Sequence, residues 1–166
     1  MRRERSRDNV NIVTRGFQPY IASFGFGALE NKMKIAAVIS RYLLGLLFSV
    51  FGLNGFLHFI HQPPPANPVA LQFFVAVSTS HYMMVVFLVQ LIAGVLLLMG
   101  RFVPLALAVL APVLVNILNY HITMDPGGIG PGLTAAILWV IVFLRYRSSF
   151  AHIFQQRPAE ETAPAH

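Results

Sequence analysis

HYMMVVFLVQLIAGVLLLMGRFVPLALAVLAPVLVNILNYHI, residues 81–122, is the stretch on which the fold turns. It holds two apolar runs, His81 to Met99 and Phe102 to Ile122, separated only by Gly100 and Arg101. A helix that crosses the hydrocarbon core of a bilayer needs ~20 predominantly apolar residues. Each run supplies one crossing, and the Gly-Arg pair is the turn between them. Pro104 falls in the first turn of the later run, where a missing N–H costs nothing. Pro112 lies in mid-span and should bend that helix.

Upstream, IAAVISRYLLGLLFSVFGLNGFLHFI (residues 35–60) is a further span. Arg41 enters it early, one or two turns in, from where a long side chain can reach back to the headgroups. HQPPPANP (61–68) then stops the helix, because three successive prolines cannot continue one. Asn67 and Pro68 read as the N-cap and first-turn proline of a new helix. That segment, VALQFFVAVSTS (69–80), would make a rod of ~48 Å if fused to the following span at 1.5 Å per residue. It is therefore expected to be a short helix lying in the membrane interface, with a break near Ser78 to Ser80. Downstream, MDPGGIGP (124–131) has loop composition. A fourth span runs from about Gly132, or from a turn earlier, to Leu144 and is closed by Arg145 and Arg147. The expected fold is all-α: a transmembrane four-helix bundle with a short interfacial helix between the first and second spans.

The flanks differ from this membrane region, which covers residues 33–154. Residues 1–32 are basic and then carry scattered aromatics and glycines without a helical period. They read as a disordered tail, or as sequence upstream of a start at Met33. No short apolar run suited to a secretory signal occurs in them. Residues 155–166 are polar and read as a disordered C-terminal tail.

Composition fits this architecture. The chain is 56% hydrophobic and only 11% charged, whereas a soluble domain carries about a quarter charged residues. The net charge of +6 would suit a nucleic-acid partner only if the basic residues shared a face. Instead they sit at the ends of apolar runs or in the tails, so nucleic acid is excluded as a partner and the lipid bilayer is the expected one. The 61–80 and 123–131 connections contain no Lys or Arg, while the N-terminal tail, the 100–101 turn and the C-terminal tail do. By the positive-inside rule both termini are cytoplasmic, and a bacterial inner membrane is the expected location.

The chain has no cysteine, which removes disulfides, thiol redox motifs and cysteine-ligated clusters. No metal site is expected. Polar side chains within the spans are the remaining candidates for chemistry, since each needs a partner there. Asn54 and His58 are four apart and would share a helix face; Gln90 lies near mid-membrane; Asn116 and Asn119 are three apart below Pro112. Convergence of Asn54, His58, Gln90 and Asn116 would build an outward-facing polar pocket for a quinone head group or another small polar ligand, with a ring packed on Phe51 and Phe87. The competing reading is plain packing, since Asn and Gln commonly bond neighbouring membrane helices at ~0.6 kcal/mol each. A b-type haem between His58 and His121 is disfavoured, because His121 points ~200° away from Asn119 around the helix. Gly45, Ser49 and Gly52, with Gly55 nearby, form a small-residue face suited to close helix packing inside the bundle or in a dimer.

The stretches RYLLGLLFSVFGLNGFLHFI (41–60), GVLLLMGRFVPLAL (94–107) and PVLVNILNYHITMDP (112–126) resemble the DoxX family of small bacterial membrane proteins. The resemblance covers residues 34–150. It implies a four-helix membrane bundle and a link to quinone-dependent redox chemistry as an accessory subunit, with redox partner subunits or a homo-oligomer as the assembly. The other classes are a structural or assembly protein and a small-molecule carrier. The resemblance assigns no catalytic residue, and an activity of the isolated chain is not expected.

Overall fold

The computed structural model describes residues 4–61 and 63–154, with side chains from residue 30 to 61 and 63 to 151. The expected C-terminal tail from Gln155 lies outside the described residues. Five α-helices follow in order: α1 (Glu4–Leu57), α2 (Pro68–Thr79), α3 (Met83–Met99), α4 (Val103–Thr123) and α5 (Ile129–Tyr146). Short 3-10 segments, Pro126–Gly128 and Arg147–Phe154, flank α5. There is no strand among the described residues.

The chain divides into two compact units, Met1–Ala36 and Ala37–His166. In the first, α1 already runs as helix from Glu4. The expectation of an irregular tail to residue 32 rested on the missing apolar period. That period reports a buried face rather than helicity itself, so a helix without one escapes the criterion. Lys34 Nζ and Glu30 Oε1 pair at 2.8 Å within this unit, one turn apart.

In the second unit, α1, α3, α4 and α5 close around one core. Leu44 and Phe48 of α1, Leu97 of α3, Leu107 and Leu110 of α4 and Val142 of α5 are its fully buried large side chains. The outside of these helices is as apolar as the inside: Ile92, Leu105, Val115, Ile137 and Leu144 are all exposed. Such a surface suits hydrocarbon and not water. Three helical stretches, Glu30–Leu57, Val103–Thr123 and Pro126–Ala151, are long and apolar enough to cross a membrane, each with mean hydropathy 1.9. The pair α2 and α3 makes a fourth if taken together, but the two are bent by 82° at the intervening break.

That bend falls where the sequence placed it, and its cause is local. The Asn67 side chain accepts from the Val69 N–H at 2.9 Å and Pro68 occupies the first turn, so α2 starts as expected. At its end the Thr79 hydroxyl turns back to the Val75 carbonyl at 2.8 Å, and His81 takes a left-handed backbone with φ 57°. The 100–101 turn is equally tight. Gly100 (φ 68°) and Phe102 (φ 53°) are both left-handed, and the Gly100 and Arg101 N–H groups close on Leu97 and Leu96. The helix of the fourth span, α5, begins at Ile129, the earlier turn that the sequence reading also allowed.

Candidate functional site

The α1–α3 seam is built from small residues. A Cβ on Gly52 would lie 2.7 Å from the Leu91 nitrogen, and one on Gly94 would lie 2.6 Å from both the nitrogen and the Oγ of Ser49. The row Gly45, Ser49, Gly52 is therefore used inside the bundle. Its counterpart on α3, Gly94, was not singled out from the sequence. Gly55 accommodates the ring of Phe87, which also meets Phe56 edge-on at 6.5 Å between centroids.

Two polar side chains of this region bond no described residue, and of their polar atoms only the Ser49 hydroxyl is fully buried. The Ser49 hydroxyl is buried and unbonded. Gln90, halfway along α3, is only 5% exposed, and no described residue donates to or accepts from its amide.

The other expected site residues are placed differently. The first span stops at Leu57, not Ile60, and His58 takes a left-handed backbone with φ 53°. The His58 N–H gives the last helical bond to the Asn54 carbonyl at 2.8 Å. The Asn54 side chain then accepts from the Ile60 N–H at 2.6 Å and donates back to the Ile60 carbonyl at 3.5 Å. Asn54 is thus committed to folding the chain over the end of α1. His58 and His61 do not continue a helical face, because the helix has ended before them. His58 and Asn116 are both exposed, as is Asn119. Of the four residues expected to line an outward-opening pocket, Gln90 alone is buried in the bundle, Asn54 is half-buried, and His58 and Asn116 are exposed.

His121 is occupied as well. Its Nδ1 lies 3.0 Å from the Asp125 carbonyl and 3.7 Å from the carboxylate Oδ2, and its ring packs against Tyr120. Tyr120 in turn meets Phe73 of α2 at 5.8 Å. This cluster ties the α4–α5 connection to the short helix.

Two further residues have partners that the sequence reading did not give them. Arg41 is 8% exposed and donates from Nη1 to the Leu97 carbonyl, with its guanidinium over the Tyr42 ring at 4.3 Å. Leu97 lies in the last turn of α3, where the helix dipole favours a cation. A Cβ on Gly100 would come 2.8 Å from the same Nη1. Arg41 thus does reach toward the chain turn, but its charge is received by a carbonyl of the protein. Trp139 donates to the Leu107 carbonyl at 3.0 Å and stacks on Phe143 at 5.0 Å. This joins α5 to the turn of α4 just before Pro112. Comparison of the chain with family models, with curated proteins and with solved structures finds no match.

Proposed function

We propose that this chain is a DoxX-like multi-pass protein of a bacterial inner membrane, serving a quinone-linked redox system as an accessory subunit with no catalytic centre of its own. The observation that carries this reading is Gln90. Its side chain is 5% exposed and bonds no described residue, and hydrocarbon would supply its amide with neither donors nor acceptors. A quinone carbonyl accepts from such an amide while its ring packs among apolar side chains. The family element of the reading rests on the sequence resemblance of residues 41–60, 94–107 and 112–126.

The test is purification in mild detergent, followed by mass analysis of bound quinone, haem and partner chains. Gln90→Leu is expected to lower the quinone content at least about tenfold, the equivalent of one lost hydrogen bond, with insertion and helix content unchanged. Equal quinone in both proteins, or no quinone and no redox partner in either, removes the reading. Both termini are cytoplasmic in this proposal. A reporter active only outside the cytoplasm should then give signal when fused at residues 65 and 127 and none at 101 and 160. The opposite pattern reverses the orientation.

A further inference from the structure

We infer that the outer face of α4 is a homodimer interface, in which Asn116 and Asn119 of one copy bond the same residues of a second copy. Leu105, Val109, Pro112, Asn116, Asn119 and Thr123 are all exposed and follow one another at steps of four, three, four, three and four residues. That alternation averages 3.5 residues, the repeat of a left-handed helix pair. The buried side chains of α4, Val103, Ala106, Leu107, Leu110 and Leu114, lie on the opposite side and are satisfied by the chain's own core.

Three features say what covers the free face. First, α4 has the length and hydropathy of a membrane span, and only 28% of its apolar window is buried. The face therefore looks onto lipid unless another helix covers it. Second, the Asn116 and Asn119 amides make no hydrogen bond to any described residue. Lipid chains cannot supply one. Third, Pro112 has no N–H to give to the carbonyl of Ala108, which is exposed on the same side. The face thus presents two carboxamides that bond no described residue, and a carbonyl that lacks its usual helical donor.

A second copy answers the first two. A carboxamide both donates and accepts, so it is complementary to itself across a two-fold axis. Two copies inserted with the same topology bring their α4 helices together parallel, and each asparagine then meets its counterpart at the same depth. An asparagine at such a seam position fixes register and favours pairs over larger assemblies. A different protein's helix would need donors and acceptors at matching heights; a second copy has them automatically.

The absence of cysteine allows a direct test. Single substitutions Val109→Cys and Asn116→Cys, on the proposed seam, are expected to form intermolecular disulfides in native membranes under mild oxidation. Val85→Cys on α3 and Ile137→Cys on α5, both exposed elsewhere, are expected not to. In parallel, the monomer–dimer equilibrium of the full chain is measured by single-molecule photobleaching in liposomes over a range of protein-to-lipid ratios. Replacing both asparagines by leucine should raise the dimer dissociation constant about tenfold or more. Gln72→Leu, an exposed amide on α2, should leave it unchanged. Monomers at every ratio, equal cross-linking at all four positions, or a dimer indifferent to loss of both asparagines would each overturn the inference. The first of these outcomes would make lipid the covering of this face.

Discussion

A chain carrying Gly52→Leu is expected to lose the α1–α3 seam and, with it, the folded bundle. In lipid, helices are not driven together by exclusion of water, so close van der Waals contact has to supply much of the association. At Gly52 the new Cβ would sit 2.7 Å from the Leu91 nitrogen and 2.9 Å from the Phe87 carbonyl oxygen. Both are backbone atoms and cannot swing aside, so the two helices must separate along their length. Overpacking of this kind costs about 1–3 kcal/mol or more in a close-packed core, which is roughly five- to more than a hundredfold in the unfolding equilibrium. Gly94→Leu should behave alike, since its Cβ meets the backbone of Ser49 and Gly45. Gly55→Ala should be milder, because the obstacle there is the movable Phe87 ring. Gly130→Ala, with nothing within 4 Å, is the neutral or slightly stabilising control. Unfolding in detergent by increasing SDS fraction, followed by circular dichroism, measures the series. If Gly52→Leu and Gly130→Ala unfold together, the seam is not what holds α1.

Loss of the Arg41 side chain should be nearly as damaging. Arg41→Ala removes a charge-assisted hydrogen bond to the Leu97 carbonyl, a cation at the C-terminus of α3, and the guanidinium that fills the space beside Gly100. Hydrogen bonds to charged groups are worth ~1.5–3 kcal/mol and a cation at a partly buried helix end up to ~2 kcal/mol, with overlap between the two. A total of about 2–4 kcal/mol is expected. Arg41→Lys should recover part of it, since an ammonium keeps the charge but not the planar fork. Gly100→Ala attacks the same corner from the other side. Its φ of 68° disfavours any side chain, and the added carbon would lie 2.8 Å from the guanidinium. The same SDS titration decides: an Arg41→Ala midpoint equal to that of the unsubstituted chain would mean the buried guanidinium contributes nothing.

Most of the architecture was legible because it is written in short-range signals. Asn67-Pro68 announced α2, the run length required a break before α3, and the bare Gly-Arg turn required a hairpin; all three are in the structure. The small-residue row on α1 could be read, but not its partner, because which helix approaches it is a long-range matter. The candidate site was read less well, for a local reason. Asn54 and His58 have helical spacing, yet spacing implies a shared face only while the helix lasts. Asn54 itself ends the helix by bonding Ile60, and a histidine in left-handed conformation carries no sequence mark comparable to glycine. Arg41 looked like a side chain seeking headgroups because it lies only one or two turns inside the span. Its acceptor is a carbonyl 56 residues away, and carbonyls are invisible to composition.

The single tryptophan of the chain has a consequence of its own. Trp139 is held by the Leu107 carbonyl and lies flat on Phe143, with an interplanar angle of 9°. Its emission therefore originates at one place, the contact between α4 and α5 beside the proline bend. An indole that loses that carbonyl and that stacked ring changes colour and intensity together. The molecule thus carries its own optical gauge of whether α5 is docked, needing no label and reading only that half of the bundle. Against it, the parting of α1 from α3 can be timed as a separate event.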